Sequence, residues 1–173
     1  MSTKAFKGLK EVKIGTVGTI TALAPLPGSM TKVGLVQGDG VSVDESDPEI
    51  EDLTECGASE PFDQNVKKGK ITLKFQMAIT SVDDLIAVRG GTEGVITAGG
   101  AAHLDQANFS LLEKAVQVST PTANMYLAIP RANIYGKYTG ALSDKGQMLV
   151  EVTITPLATG VSGVPSVIPV FPE

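Results

Sequence analysis

Carboxylates dominate the residues that could do chemistry. Asp44, Glu45, Asp47, Glu49, Glu51, Asp52, Glu55 and Glu60 fall within seventeen positions that hold no basic residue. That density is typical of calcium loops, but the EF-hand spacing and central glycine are missing and Pro48 intrudes. As a ligand set the run implies an adventitious divalent contact at most; as plain sequence it reads as a solvated acidic loop. The rest of the reactive inventory is thin. His103 is the single histidine and Cys56 the single cysteine. This leaves no His-pair metal site, Cys-based zinc site or intrachain disulfide. Asp83 and Asp84 could share acid–base work, but the start of a helix explains them, and a glycosidase needs carboxylates on two facing walls. Gly90-Gly91-Thr92 and Gly99-Gly100 fit neither the Walker nor the Rossmann pattern and read as flexible linkage. Asn108-Phe109-Ser110 matches the glycosylation sequon, a pattern short enough to recur by chance. No catalytic residue, metal or cofactor is expected.

Composition bounds the partners. The chain has 173 residues, which fits one domain able to bury a core without staples. Its net charge is 14 − 19 = −5, the wrong sign for a protein that grips nucleic acid by its phosphates. Lys4, Lys7, Lys10 and Lys13 precede an apolar stretch, and Ala22-Leu23-Ala24 mimics a signal cleavage site. Glu11 and the recurring Gly and Thr residues argue against a signal peptide. No stretch reads as a membrane span, and no membrane partner is expected. Glycine and proline, 19 and 10 residues, favour a turn-rich β protein.

The elements that must position the acidic run are mostly strands. From Lys70 to Thr80, Ile71, Leu73, Phe75, Met77 and Ile79 face one way and mostly polar residues the other. From Gln147 to Thr155, Met148, Val150, Val152 and Ile154 form a second inner face. Ser143-Asp144-Lys145-Gly146 supplies a turn back to a partner strand at 133–142, where Gly136 and Gly140 point to a bulge or twist. Further strands are expected at Leu9–Val17, Gly34–Val43, Lys114–Thr120 and Met125–Ile129, the last meeting an edge or bend at Pro130. One helix is expected at about 82–89, capped by Ser81 and ended by Gly90, with Val82, Leu85, Ile86 and the Arg89 stem facing inward. Residues 90–107 read as a Gly/Ala-rich loop. The expected fold is mainly β: a single-domain β-sandwich or barrel over 1–157 with one flanking short helix and a long acidic loop at about 44–62. Residues 158–173 form an extended Pro-containing arm whose Val167, Ile168, Val170 and Phe171 can lie against another surface.

The order of these elements resembles the major tail tube proteins of tailed bacteriophages. The resemblance covers about residues 9–157. It rests on the acidic excursion, Lys67-Lys68-Gly69-Lys70 leading into a long amphipathic strand, the helix at Asp83-Asp84-Leu85, and Gly90-Gly91-Thr92. Ile129-Pro130-Arg131-Ala132, the turn at Leu142–Gly146 and Val152-Thr153-Ile154-Thr155-Pro156-Leu157 complete it. It implies six copies closing into a ring with a continuous inner β-barrel, and rings stacking into a tube that conducts DNA without binding it tightly. By that analogy the protein partners itself and other tail proteins, in a virion tail assembled in the bacterial cytoplasm. The acidic residues Asp44, Glu45, Asp47, Glu49, Glu51, Asp52 and Glu55 then form an inter-subunit contact. Lys10, Lys13, Lys67, Lys68 and Lys70 are candidate counterparts. The alternative is a secreted or surface β-sandwich, adhesin- or pilin-like, whose apolar tail donates a strand to a neighbour.

Overall fold

Apolar residues at every second position give this chain sheets with one buried face, and the computed structural model shows how they close. It describes residues 8–21, 24–53, 56, 60, 63–95, 100–105, 111–140 and 148–172. In chain order the elements are β1 (Glu11–Thr16), β2 (Thr31–Lys32), β3 (Leu35–Glu45), β4 (Glu49–Leu53), β5 (Asp63–Lys67), β6 (Ile71–Ala78) and α1 (Val82–Arg89). Then follow β7 (Thr92–Val95), β8 (Ala101–Leu104), β9 (Leu112–Ser119), β10 (Tyr126–Thr139), β11 (Leu149–Pro156) and β12 (Ile168–Val170). Among the described residues the protein is mainly β with one helix, as expected.

Eight strands form one antiparallel sheet in the order β2-β1-β9-β10-β11-β6-β3, with β12 added to β10. The sheet curls into a half-barrel because its two margins belong to one bent stretch of chain. β2 pairs with β1, and β3, two residues further on, pairs with β6. Between them the Val33 N–H donates to the Val12 carbonyl at 3.0 Å. Of the residues that the alternation marked, Leu73, Phe75 and Met77 on β6 and Val150, Val152 and Ile154 on β11 are buried; Ile71 and Ile79 are half-buried, and Met148, which precedes β11, is exposed. Full burial of each such side chain is worth about 1.5–3 kcal/mol.

The helix has the expected bounds. The Ser81 hydroxyl accepts from the Asp84 N–H, and the Gly90 N–H donates to the Ile86 carbonyl. Its inward residues are Leu85 and Val88; Val82 and Ile86 are only half-buried. Val88 and the Arg89 stem sit over Gly136 of β10, where an added Cβ would lie 2.8 Å from Val150 and 3.2 Å from both helix residues. Gly136 is therefore the point where the helix packs on the sheet, and the bulge lies elsewhere, between Ile129 and Ala132.

That bulge explains a further difference. The segments expected at Met125–Ile129 and 133–142 are one strand, β10, passing through Pro130. Its first part pairs with β12 and its second with β11, so Pro130, which has no N–H to give, falls at the changeover. β6 is also shorter than the expected Lys70–Thr80. Thr80 has left the ladder, and its N–H and hydroxyl both donate to Asp84.

Asp84 does more than favour a helix start. It is buried, and its carboxylate also accepts the Gly34 N–H at 2.9 Å. Burial pushes this carboxyl up, but hydrogen bonds from the Thr80 hydroxyl, the Gly34 and Thr80 N–H groups and Ser81 bring it below its ordinary value. One carboxylate thus joins the helix, the end of β6 and the start of β3.

Candidate assembly surface

The acidic run is a strand end and a hairpin, where the sequence led us to expect a loop. Asp44 and Glu45 finish β3, opposite Thr72 and Ile71 of β6. Asp47 follows in the connection. Glu49, Glu51 and Asp52 lie on β4, which pairs antiparallel with β5 from Glu49↔Lys67 to Leu53↔Asp63. Glu55 lies outside the described residues. Glu and Asp disfavour strands, so composition pointed to a loop. Pairing with the Asp-Gln-Asn-Val-Lys run of β5 overrides that preference.

The arm is fixed at its root and bare above it. Ser46 and Lys70 exchange backbone contact (Ser46 N–H to Lys70 carbonyl, 3.0 Å), and the Ser46 hydroxyl accepts the Lys70 N–H at 2.8 Å. Gly69 passes so close that a Cβ there would stand 1.8 Å from the Ser46 carbonyl oxygen. Every residue of β4 and β5 is exposed. One face carries Glu49, Glu51 and Leu53 with Lys67, Asn65 and Asp63 opposite. The other carries the apolar pair Ile50–Val66, both more than half exposed. Glu49 is ion-paired to Lys67 at 3.5 Å and Asp52 accepts from Gln64 at 2.8 Å. A lone two-stranded hairpin with no packed face is marginal in water.

The lysines expected as counterparts separate into two groups. Lys67, Lys68 and Lys70 belong to the arm and its root. Lys10 and Lys13 lie on β1 and just before it, and the register brings Lys32 of β2 directly opposite Lys13. Lys32 was missed because nothing in its local sequence marks it; only strand pairing places it there.

The open end of the half-barrel lies beside the arm root. Leu9, Val43, Ile71, Val118, Leu127 and Val167 line an apolar mouth of about 550 Å³ with Glu45 at its edge. Among the described residues that line it there is no pair of acid–base groups. Among the described residues no cluster of three His, Cys, Asp or Glu side chains could hold a metal, and no helix is long and apolar enough to cross a membrane. Cys56 is exposed.

The C-terminal arm lies on its own sheet. Ile168, Pro169 and Val170 pair with Ala128, Leu127 and Tyr126 of β10. Pro169 is tolerated because β12 is an edge. Arg131 anchors the approach: it donates to both Glu113 oxygens at 2.8 and 3.0 Å and to the Ala158 carbonyl at 3.4 Å. Those bonds hold the Glu113 carboxyl below its ordinary value. Val167, Ile168 and Val170 are half-buried in this arrangement and Phe171 is 54% exposed. The strand that a surface module would donate to a neighbour is here paired within its own chain.

The expected Gly/Ala loop contains a second hairpin, β7–β8, tied to the helix end. His103 Nε2 lies 2.7 Å from the Gly90 carbonyl oxygen. Arg89 forms an ion pair with Asp105, donates to the Gly136 carbonyl at 2.8 Å, and stacks 4.3 Å above the Tyr138 ring. His103 therefore serves a structural contact.

No protein-family model matches this chain, and no curated protein sequence matches it.

Proposed function

We propose that this protein is a structural, self-assembling subunit of a phage-type tail tube, with no enzymatic role, and that its β4–β5 arm contacts a neighbouring copy. The observation that carries the reading is the arm itself: two five-residue strands with every residue exposed, fixed at a tight root. Ordering a chain into a hairpin costs conformational entropy that this one recovers poorly alone, and a partner surface would supply the missing burial.

Two further features support the reading. The outer face of β3, β6, β11 and β10 is mostly polar, carrying Gln76, Lys74 and the Lys137–Glu151 ion pair at 2.8 Å, with Leu35 exposed at one end. Such a face suits the wall of an aqueous channel. Most of the acidic run lies on the arm, and Asp44, in register with Thr72, is its member on this wall. In this reading rings of six copies stack head to tail in a virion tail, other tail proteins cap the tube, and DNA passes through it unheld.

Negative-stain microscopy of the concentrated protein, with light scattering across a dilution series, tests this. Rings or stacked tubes are expected. A species that stays monomeric at every concentration and salt tried contradicts the proposal.

A further inference from the structure

We infer that the acidic face of the arm docks on a basic patch formed by Lys13 and Lys32, with Lys10 beside them, on the β1–β2 wall of a second copy. This rests on the assembly reading above and assigns its counterpart.

The patch is defined by strand pairing. Lys13 and Lys32 are direct cross-strand partners, which places their Cα atoms about 4.5–5.5 Å apart. Like charges directly opposite one another are destabilising unless something offsets them. Glu11 offsets part, reaching Lys13 at 3.1 Å. The neighbouring outer residues of β9, Gln117 and Ser119, are neutral. Lys10, Lys13 and Lys32 against Glu11 leave 3 − 1 = +2 on a wall whose margin, β2, is an unextended sheet edge. Lys32 is exposed and the Lys13 side chain retains 34% of its accessibility.

The arm is complementary in sign. Glu49, Glu51, Asp52 and Asp63 against Lys67 leave 1 − 4 = −3 on β4 and β5, and all of these except Asp52 share one face. Glu49 already has Lys67, which leaves Glu51, opposite neutral Asn65, as the carboxylate best placed for an outside cation. Lys67 is thereby reassigned: it neutralises Glu49 of its own arm.

Within the subunit, and among the described residues, no ion pair joins β4 or β5 to Lys10, Lys13 or Lys32: Glu49 is held by Lys67 and Lys13 by Glu11. A second copy is the occupant assigned to the patch. Repeated head to tail, arm on patch is a heterologous contact, which closes a ring or builds a stack according to its rotation.

The test is a charge-swap cycle on the full chain, read by light scattering and sedimentation at two salt concentrations. The variants are Lys13→Glu with Lys32→Glu, Glu51→Lys with Asp63→Lys (both on the acidic face), and all four together, each checked for an unchanged circular dichroism spectrum and melting temperature. Each pair alone is expected to weaken association on the order of tenfold and to remove most of its salt dependence, and the four-fold variant is expected to recover most of the loss. If the wild type assembles and the Lys13/Lys32 variant assembles equally well, the patch is wrong while the assembly reading stands. If the wild type does not assemble, both fall. Recovery absent from the four-fold variant also overturns the pairing. So does a short DNA duplex that binds the wild type and loses binding only in the lysine variant, since nucleic acid would then be the occupant.

Discussion

Two hairpins of similar size leave this half-barrel, and they are held in opposite ways. β7–β8 is clamped along its side: Arg89 reaches Asp105 and Tyr138, and His103 reaches the Gly90 carbonyl. β4–β5 is held only where it begins, by Ser46, Lys70 and the close passage of Gly69. One hairpin is finished within the subunit. The other has a rigid base, an unpacked body and a dense negative charge. In the proposed reading the contrast separates a part of the fold from a part offered to a neighbour, and it can be attacked at each hairpin independently.

The largest effect is expected at the arm's base. Gly69→Val forces a side chain onto the Ser46 carbonyl oxygen and should redirect the arm. Association is expected to fall by an order of magnitude or more, while the melting temperature of the body changes little, because β4 and β5 bury nothing against it. Scattering and calorimetry on the same sample check this; a large drop in melting temperature would mean that the arm is part of the core.

Next in size is Asp84→Ala, which removes the acceptor shared by Gly34 and Thr80. A loss of about 2–3 kcal/mol is expected from chemical denaturation. The pH dependence follows from the same group. Its folded carboxyl is held below the ordinary 3.8, so its stabilisation is complete above that value and is lost as pH falls below it. Asp84→Asn should flatten the acid limb of the stability curve. An unchanged limb would show that the carboxylate's charge contributes nothing.

A smaller effect is expected at the clamped hairpin. Arg89→Ala should cost about 1–2 kcal/mol and raise hydrogen exchange across 92–95 and 101–104, leaving assembly intact. If assembly were lost instead, the second hairpin would also be an interface and the contrast would collapse.

The two hairpins also mark where sequence reasoning stops. The helix was legible to the residue because Ser81 and Gly90 are local signals that need no tertiary context. β6 was legible because five apolar residues alternate without a break. β7 and β8 were not, because Thr-Glu-Gly-Val and Ala-Ala-His-Leu have no period, and their pairing is stabilised by contacts with Arg89 and Gly90. β4 was hidden by its acidity. The acidic run is plain in composition, but the placing of Glu49 and Glu51 on one face of the hairpin with Asp52 on the other, and the Lys13–Lys32 juxtaposition, are products of register, which composition does not carry. Asp84 was seen as a helix-start residue; its bond to Gly34, fifty positions away, was beyond any local pattern.

The most direct test of the account is hydrogen exchange of residues 49–53 and 63–67, measured in dilute monomer and in concentrated, assembled protein. The account predicts fast exchange in the monomer and marked protection on assembly, with 92–95 and 101–104 protected alike in both states. Equal protection of β4–β5 in both states, or none in either, would contradict it.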